Sequence, residues 1–303
     1  MNIEIPTDVT KWLKSVFVGC NERVSEKLSN APNVPEPSLD LTFIEHLSQF
    51  ASPITFGSKW TVRLDTHYLG GLRHFYNWEI ADIGLLLFFR RGGKIIRSKV
   101  ALLQSKRLYP NGESVKEEVA VDYEIGFARL ADPEDVHVSL TSLHKYRFDE
   151  SSRYGALLAG DEQLKAIVEY SKKHGLSIYY LFYNPWRLTF AQSIPLKSFS
   201  KPKGGCELGA RVIPFRLVES VLKSKKKGQK PTISELEKLL QASGVVKDVN
   251  YGWRLEDFVA ELLLQCVEGD RFENIQEERI QSLFYRRSGP ISAAIAISIE
   301  LPG

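Results

Sequence analysis

A chain of 303 residues with 43% hydrophobic and 25% charged side chains has the composition of a globular protein of one large or two small domains. It excludes disordered, collagen-like and mucin-like classes. Forty Lys and Arg against thirty-seven Asp and Glu leave a formal charge of only +3, so the chemistry of any partner must be read from where the charges fall. Cys20, Cys206 and Cys266 are far apart, which excludes a Cys-x-x-Cys zinc site and a disulfide framework and points to a reducing compartment.

The opening residues 1–14 hold no basic stretch followed by an apolar run. The longest apolar runs, Ile83–Phe89 and Ile291–Ile299, fall far below the ~20 residues of a membrane span. The expectation is a cytoplasmic protein that does not enter a membrane. In chain order, Val9, Trp12, Leu13, Val16, Cys20, Val24 and Leu28 recur in steps of three and four and predict a helix over 8–28, capped by Thr7 or Asp8. Residues 29–37, with three prolines, read as a linker. Ser38 is the expected cap of a second helix with Leu39, Phe43, Leu47 and Phe50 on its buried stripe, Glu45 beside that stripe and Pro53 as its stop.

Residues 59–68 and 79–89 are strand-like. Arg91-Gly92-Gly93-Lys94 is a turn signal, and 94–109 is the return strand of a hairpin. A less regular stretch over 110–150 holds one strand at 136–148. A helix follows at 161–174, ended by Gly175, and then a buried strand at 176–184. Further along, the pattern predicts a strand at 211–215, helices at 234–243 and 255–267, and a closing strand at 291–301. The order α-β-β-β-α-β across 38–184 predicts an α/β protein with a mixed sheet flanked by helices. The expected parts are a helical extension (1–37), a core (38–196) and a C-terminal α+β region (197–303) that can also pack within one domain.

Chemistry concentrates in the hairpin. Alternation puts Gln104 and Lys106 on one face of the return strand, with Ser105 and Arg107 on the other. A hairpin closing through 91–94 sets Asp82 opposite the 104–106 region, with Gly84 allowing a bulge. A carboxylate, an amide and an ammonium at one sheet end suit phosphodiester hydrolysis. Mg²⁺ takes one or two carboxylates plus water and phosphate oxygens, and a lysine can orient water or neutralise developing charge.

These residues resemble the PD-(D/E)XK, restriction-endonuclease-like nuclease superfamily in the variant whose last motif reads Q-x-K. Asp82 matches the aspartate that starts the second core strand, Gln104 and Lys106 match Q-x-K, and Glu45 is the best match for the helical glutamate, with Glu79 the competing carboxylate. Ala81 stands where the family places a proline. The resemblance spans about half the chain. It implies a restriction-endonuclease-like core with additions at both ends, and a metal-dependent nuclease of the kind found in prokaryotic anti-phage defence. Lys106, Asp82, Gln104 and Glu45 would be catalytic; Asp82, Gln104, Glu45 and Glu79 would hold Mg²⁺ or Mn²⁺. The alternative is a non-catalytic nucleic-acid-binding or assembly subunit with a degenerate core.

Charge placement favours a polyanion; the expected partner is a nucleic acid, DNA before RNA. No acid lies between Asp82 and Glu113, whereas Arg90, Arg91, Lys94, Arg97, Lys99, Lys106 and Arg107 do. Arg97, Lys99 and Arg107 are the expected backbone contacts. Lys225, Lys226 and Lys227, in the basic run 223–230, are expected to add a mobile loop. No Walker sequence is present, so a motor such as an ATPase or helicase would be a separate partner; oligomerisation stays open. His74 reads as a packed loop histidine, Ser105 lacks a Gly-x-Ser-x-Gly context, and Tyr183 or Trp186 is the alternative base-stacking platform in an otherwise core-forming aromatic run.

Overall fold

A computed structural model of the protein describes residues 3–69, 79–111, 144–194, 206–243, 251–273, 280, 281, 283 and 291–303. The longest apolar runs become adjacent strands of one sheet. Strand β1 is Ile54–Thr55, β2 Thr61–Tyr68, β3 Ala81–Arg91, β4 Lys94–Tyr109, β5 His144–Phe148, β6 Arg153–Tyr154, β7 Ile178–Tyr183 and β8 Phe190–Ile194. Then come β9 Arg211–Pro214, β10 Trp253–Arg254, β11 Asp270–Phe272 and β12 Ile291–Leu301. The main sheet runs β1-β2-β12-β3-β4-β7-β9-β10, with β6 and β11 also on β4, while β5 and β8 form a separate pair. The fold is mixed α/β: β12 runs parallel to β3 and antiparallel to β2, and β7 runs parallel to β4.

Strand β12 has the expected bounds and is the last strand of the chain, but it does not lie at the edge of the sheet. It lies inside the sheet between β2 and β3, with Ile291, Ile295, Ile297 and Ile299 buried on one face and Ser292, Ala296, Ser298 and Glu300 half-buried on the other. The sheet draws strands from both 38–196 and 197–303, so the C-terminal region adds to the same core.

Helix α1 (Thr7–Asn30) and α2 (Glu36–Ser48) pack on each other, burying Leu13, Phe17, Cys20, Leu39, Phe43 and Leu47. Pro6 occupies the N-cap of α1, so neither Thr7 nor Asp8 caps it; the Asp8 carboxylate instead takes the Ser58 N–H and hydroxyl. The expected linker shrinks to 31–35, because α2 begins at Glu36 with Pro37 in its first turn rather than at Ser38. Proline is accepted there since the first-turn N–H groups have no helical partner. Helix α3 (Glu162–His174) has Asp161 as N-cap and Gly175 in the left-handed conformation at its end, as its sequence predicts.

Helix α4 (Phe215–Lys223) was not evident in the sequence because it starts directly on β9; Val218, Val221 and Leu222 bury its inner face. Helix α5 is Ile233–Ser243. The expected helix at 255–267 is one α-turn, α6 (Leu255–Asp257), continued as a π-helix over Phe258–Leu263. Of the strand expected at 136–148, only 144–148 lies within the described residues, and His74 lies outside them. No helix among the described residues is long and apolar enough to cross a membrane.

Candidate functional site

The hairpin register places the site. Gly92 and Gly93, both at positive φ, make a tight turn that pairs Arg91 with Lys94 and Arg90 with Ile95. One extra residue on β4, Ile96, then bulges, so that Phe89 pairs with Arg97 and Ile83 with Leu103. The bulge carries Asp82 to Gln104: Gln104 Nε2 donates to Asp82 Oδ2 at 2.5 Å. The Ser105 N–H donates to the same oxygen at 2.6 Å, and the Ser105 hydroxyl lies 2.9 Å from it. Asp82 Oδ1 takes part in none of these contacts.

The first turn of α2 closes over the ends of β3 and β4. Glu36 Oε1 sits 3.0 Å from Lys106 Nζ, and Glu36 Oε2 accepts the Arg107 N–H at 3.0 Å. One turn later, Asp40 Oδ2 lies 2.9 Å from the Ser105 hydroxyl, and Tyr183 on β7 donates its phenol to Asp40 Oδ1 at 2.7 Å. Four residues on a helix return to the same face, which is why Glu36 and Asp40 arrive together. Glu45, one residue past the next repeat, is exposed. The helical acids at this sheet end are Glu36 and Asp40, which correct the expected Glu45. Glu79 stays near, and its charge acts on Asp82.

The surroundings are dry. Gln104 is 1% exposed and Lys106 4%. Burial pushes the Asp82 carboxyl up; the Lys106 charge opposes this and those of Glu36 and Glu79 add to it, leaving the group at about 7. Asp40 is raised well above the carboxylate range by burial and then by Asp82 and Glu36, against the hydrogen bonds from Tyr183 and Ser105. For Lys106, burial disfavours the charge, but Glu36 and Asp82 outweigh it and hold the ammonium above its ordinary range. Three acidic side chains thus gather round one ammonium at this sheet end, and two of them hold their protons more tightly than an ordinary carboxyl does.

Gln104 Oε1 is buried without a hydrogen-bond partner among the described residues. An orphaned amide oxygen beside Asp82, with Asp40 across Ser105, fits Mg²⁺ or Mn²⁺, which take one or two carboxylates and fill the remaining positions with water and phosphate oxygens. Among the described residues no group of three or more His, Cys, Asp or Glu side chains forms a ready-made metal cage.

Of the expected basic contacts, Lys99 and Arg97 lie further along β4, and Arg107 adjoins Lys106. Lys99 is buried and its ammonium donates to the Glu268 carbonyl. Arg97 stands beside Cys266, seven residues from Gln104 and so roughly 23 Å along the strand. Arg107 is buried with its guanidinium donating to the Pro32 carbonyl at 2.7 Å and lying over the Tyr109 ring. Lys99 and Arg107 brace the fold, whereas Arg97 is half-buried.

Lys225 pairs with Glu235, while Lys226 and Lys227 are exposed. Their turn is tied to Ala159 by the Gly228 N–H and by the Gln229 carbonyl, not a free loop. It borders the site because Pro231, just beyond, takes the N–H of Tyr154 on β6, which pairs with Leu108 and Tyr109. Tyr183 and Trp186 are buried, and neither offers an open ring face.

Sequence reasoning missed Glu36, Asp40, Ser105 and Tyr183. Glu36 and Asp40 at a four-residue spacing were a usable signal, hidden by reading Pro35 and Pro37 as linker. Comparison with protein-family models, with curated proteins and with solved structures finds no match.

Proposed function

We propose that the protein is a divalent-metal-dependent nuclease with a restriction-endonuclease-like core that hydrolyses phosphodiester bonds of DNA or RNA, in the setting of prokaryotic defence. The observation that carries this reading is the convergence of Asp82, Gln104 and Lys106, with the Gln104 oxygen unpartnered, at the end of two paired strands. Asp82 and Gln104 Oε1 would hold Mg²⁺ or Mn²⁺, helped by Asp40. Such an ion supplies charge neutralisation at phosphate and a more acidic water.

In this mechanism Lys106 supplies a fixed positive charge, kept protonated by Glu36 and Asp82, to the phosphate oxygens as charge builds on them. Glu36 sets the reach of that ammonium, since its two oxygens bind Lys106 and the next main-chain N–H together. The dry surroundings strengthen each charge contact. Lys226 and Lys227 offer exposed charge for the nucleic-acid backbone.

One observation favours the alternative of a non-catalytic nucleic-acid-binding or assembly subunit: Lys106 is buried and ion-paired. Incubation with linear and circular DNA and RNA, in Mg²⁺ or EDTA, separates the two. Mg²⁺-dependent cleavage by the wild type and none by Lys106→Ala supports the nuclease; salt-sensitive binding with no cleavage supports the alternative.

A further inference from the structure

We infer that Ser105, the middle residue of the Gln104-Ser105-Lys106 run, is a positioning residue that sets Asp40 and Asp82 as a pair, with Tyr183 as its counterpart on the far side of Asp40. This rests on the reading of the site as a divalent-metal centre. In a regular strand Ser105 faces away from Gln104 and Lys106, and nothing in the Q-x-K spacing requires a hydroxyl there. Yet its hydroxyl lies 2.9 Å from Asp40 Oδ2 and 2.9 Å from Asp82 Oδ2, and its N–H also binds the latter.

A serine hydroxyl carries one hydrogen and can donate to only one carboxylate oxygen at a time. The Ser105 hydroxyl, fully buried between the two acids, therefore links them through contacts of equal length while its N–H stays on Asp82. Tyr183, donating to Asp40 Oδ1, stops Asp40 from turning away. Ser105 therefore acts through Asp40 and Asp82, by fixing their separation before the ion arrives. Preorganised donors avoid the cost of ordering at the moment of binding.

The test is Mn²⁺ affinity of the whole chain by isothermal titration and by the electron paramagnetic resonance of bound Mn²⁺, beside Mg²⁺-dependent cleavage. The variants are Ser105→Ala, Ser105→Thr and Tyr183→Phe, each checked for native near-UV circular dichroism. Losing one hydrogen bond to a charged group weakens Mn²⁺ by about ten- to a hundred-fold in Ser105→Ala. The expected cleavage loss is in kcat, with KM for nucleic acid held, and Ser105→Thr restores both. Tyr183→Phe shifts Mn²⁺ affinity in the same direction and tests the pairing if Ser105→Ala does not fold. Wild-type Mn²⁺ affinity in both Ser105→Ala and Tyr183→Phe overturns the inference and leaves the metal site standing. Absence of Mn²⁺ binding by the wild type overturns the site itself, and the inference with it.

Discussion

Glu36 and Lys106 form an ion pair of 3.0 Å across a separation of seventy residues, with side-chain exposures of 13% and 5%. The second Glu36 oxygen binds the Arg107 N–H, so a single carboxylate fixes both the lysine and the strand that carries it. Removing one member of such a pair leaves the other buried and uncompensated.

Glu36→Ala is therefore expected to lower unfolding free energy by about 3–5 kcal/mol. Glu45→Ala, on the exposed side of the same helix, should stay within about 0.5 kcal/mol of the wild type. Urea denaturation of the two variants checks this; equal losses would contradict the assignment of Glu36 over Glu45.

Asp40→Asn should reduce Mg²⁺-dependent cleavage by about a hundred-fold or more, the scale set by losing one charge-stabilising group, while Glu45→Ala cleaves as the wild type does. Single-turnover rates on a labelled substrate read the difference. A deficit confined to Glu45→Ala would restore the helical glutamate that the sequence suggested.

Asp82 makes the metal-free protein pH-sensitive. The folded state keeps its proton up to about pH 7, whereas the unfolded chain releases it near 3.8. Between those values the folded state binds more protons, so this stability is full at low pH and is lost as pH rises to about 7. The loss is on the order of 4 kcal/mol. Asp82→Asn does not titrate and removes this slope; parallel stability–pH curves for the two proteins in EDTA would contradict the buried acid.

Lys99→Met should destabilise the fold, because Lys99 supports the Glu268 carbonyl from a buried position, yet leave nucleic-acid affinity unchanged. Replacing the exposed Lys226 and Lys227 by Ala should do the reverse, lowering affinity and the salt slope by about one unit per lost phosphate contact. Binding titrations across salt concentrations, beside thermal unfolding, separate the two behaviours.

Much of this was legible in the sequence where local patterns dominate. The Gly92-Gly93 turn and the apolar runs on either side lead to the Asp82–Gln104 pairing. The route was partly fortuitous, since a two-residue turn alone pairs Asp82 with Leu103 and the Ile96 bulge restores the register. What could not be read is long-range. Glu36 and Asp40 reach the site because α2 starts two residues before Ser38, and β12 enters between β2 and β3 from the far end of the chain. Lys99 and Arg107 look like surface charge in a list of residues, but each found a carbonyl acceptor inside the fold.

The most direct measurement is the Mg²⁺-dependent rate of phosphodiester cleavage by folded Asp82→Asn and Lys106→Met beside the wild type. The account predicts cleavage by the wild type that EDTA stops, and no cleavage above background by either variant. Undiminished Mg²⁺-dependent cleavage by both variants would contradict it.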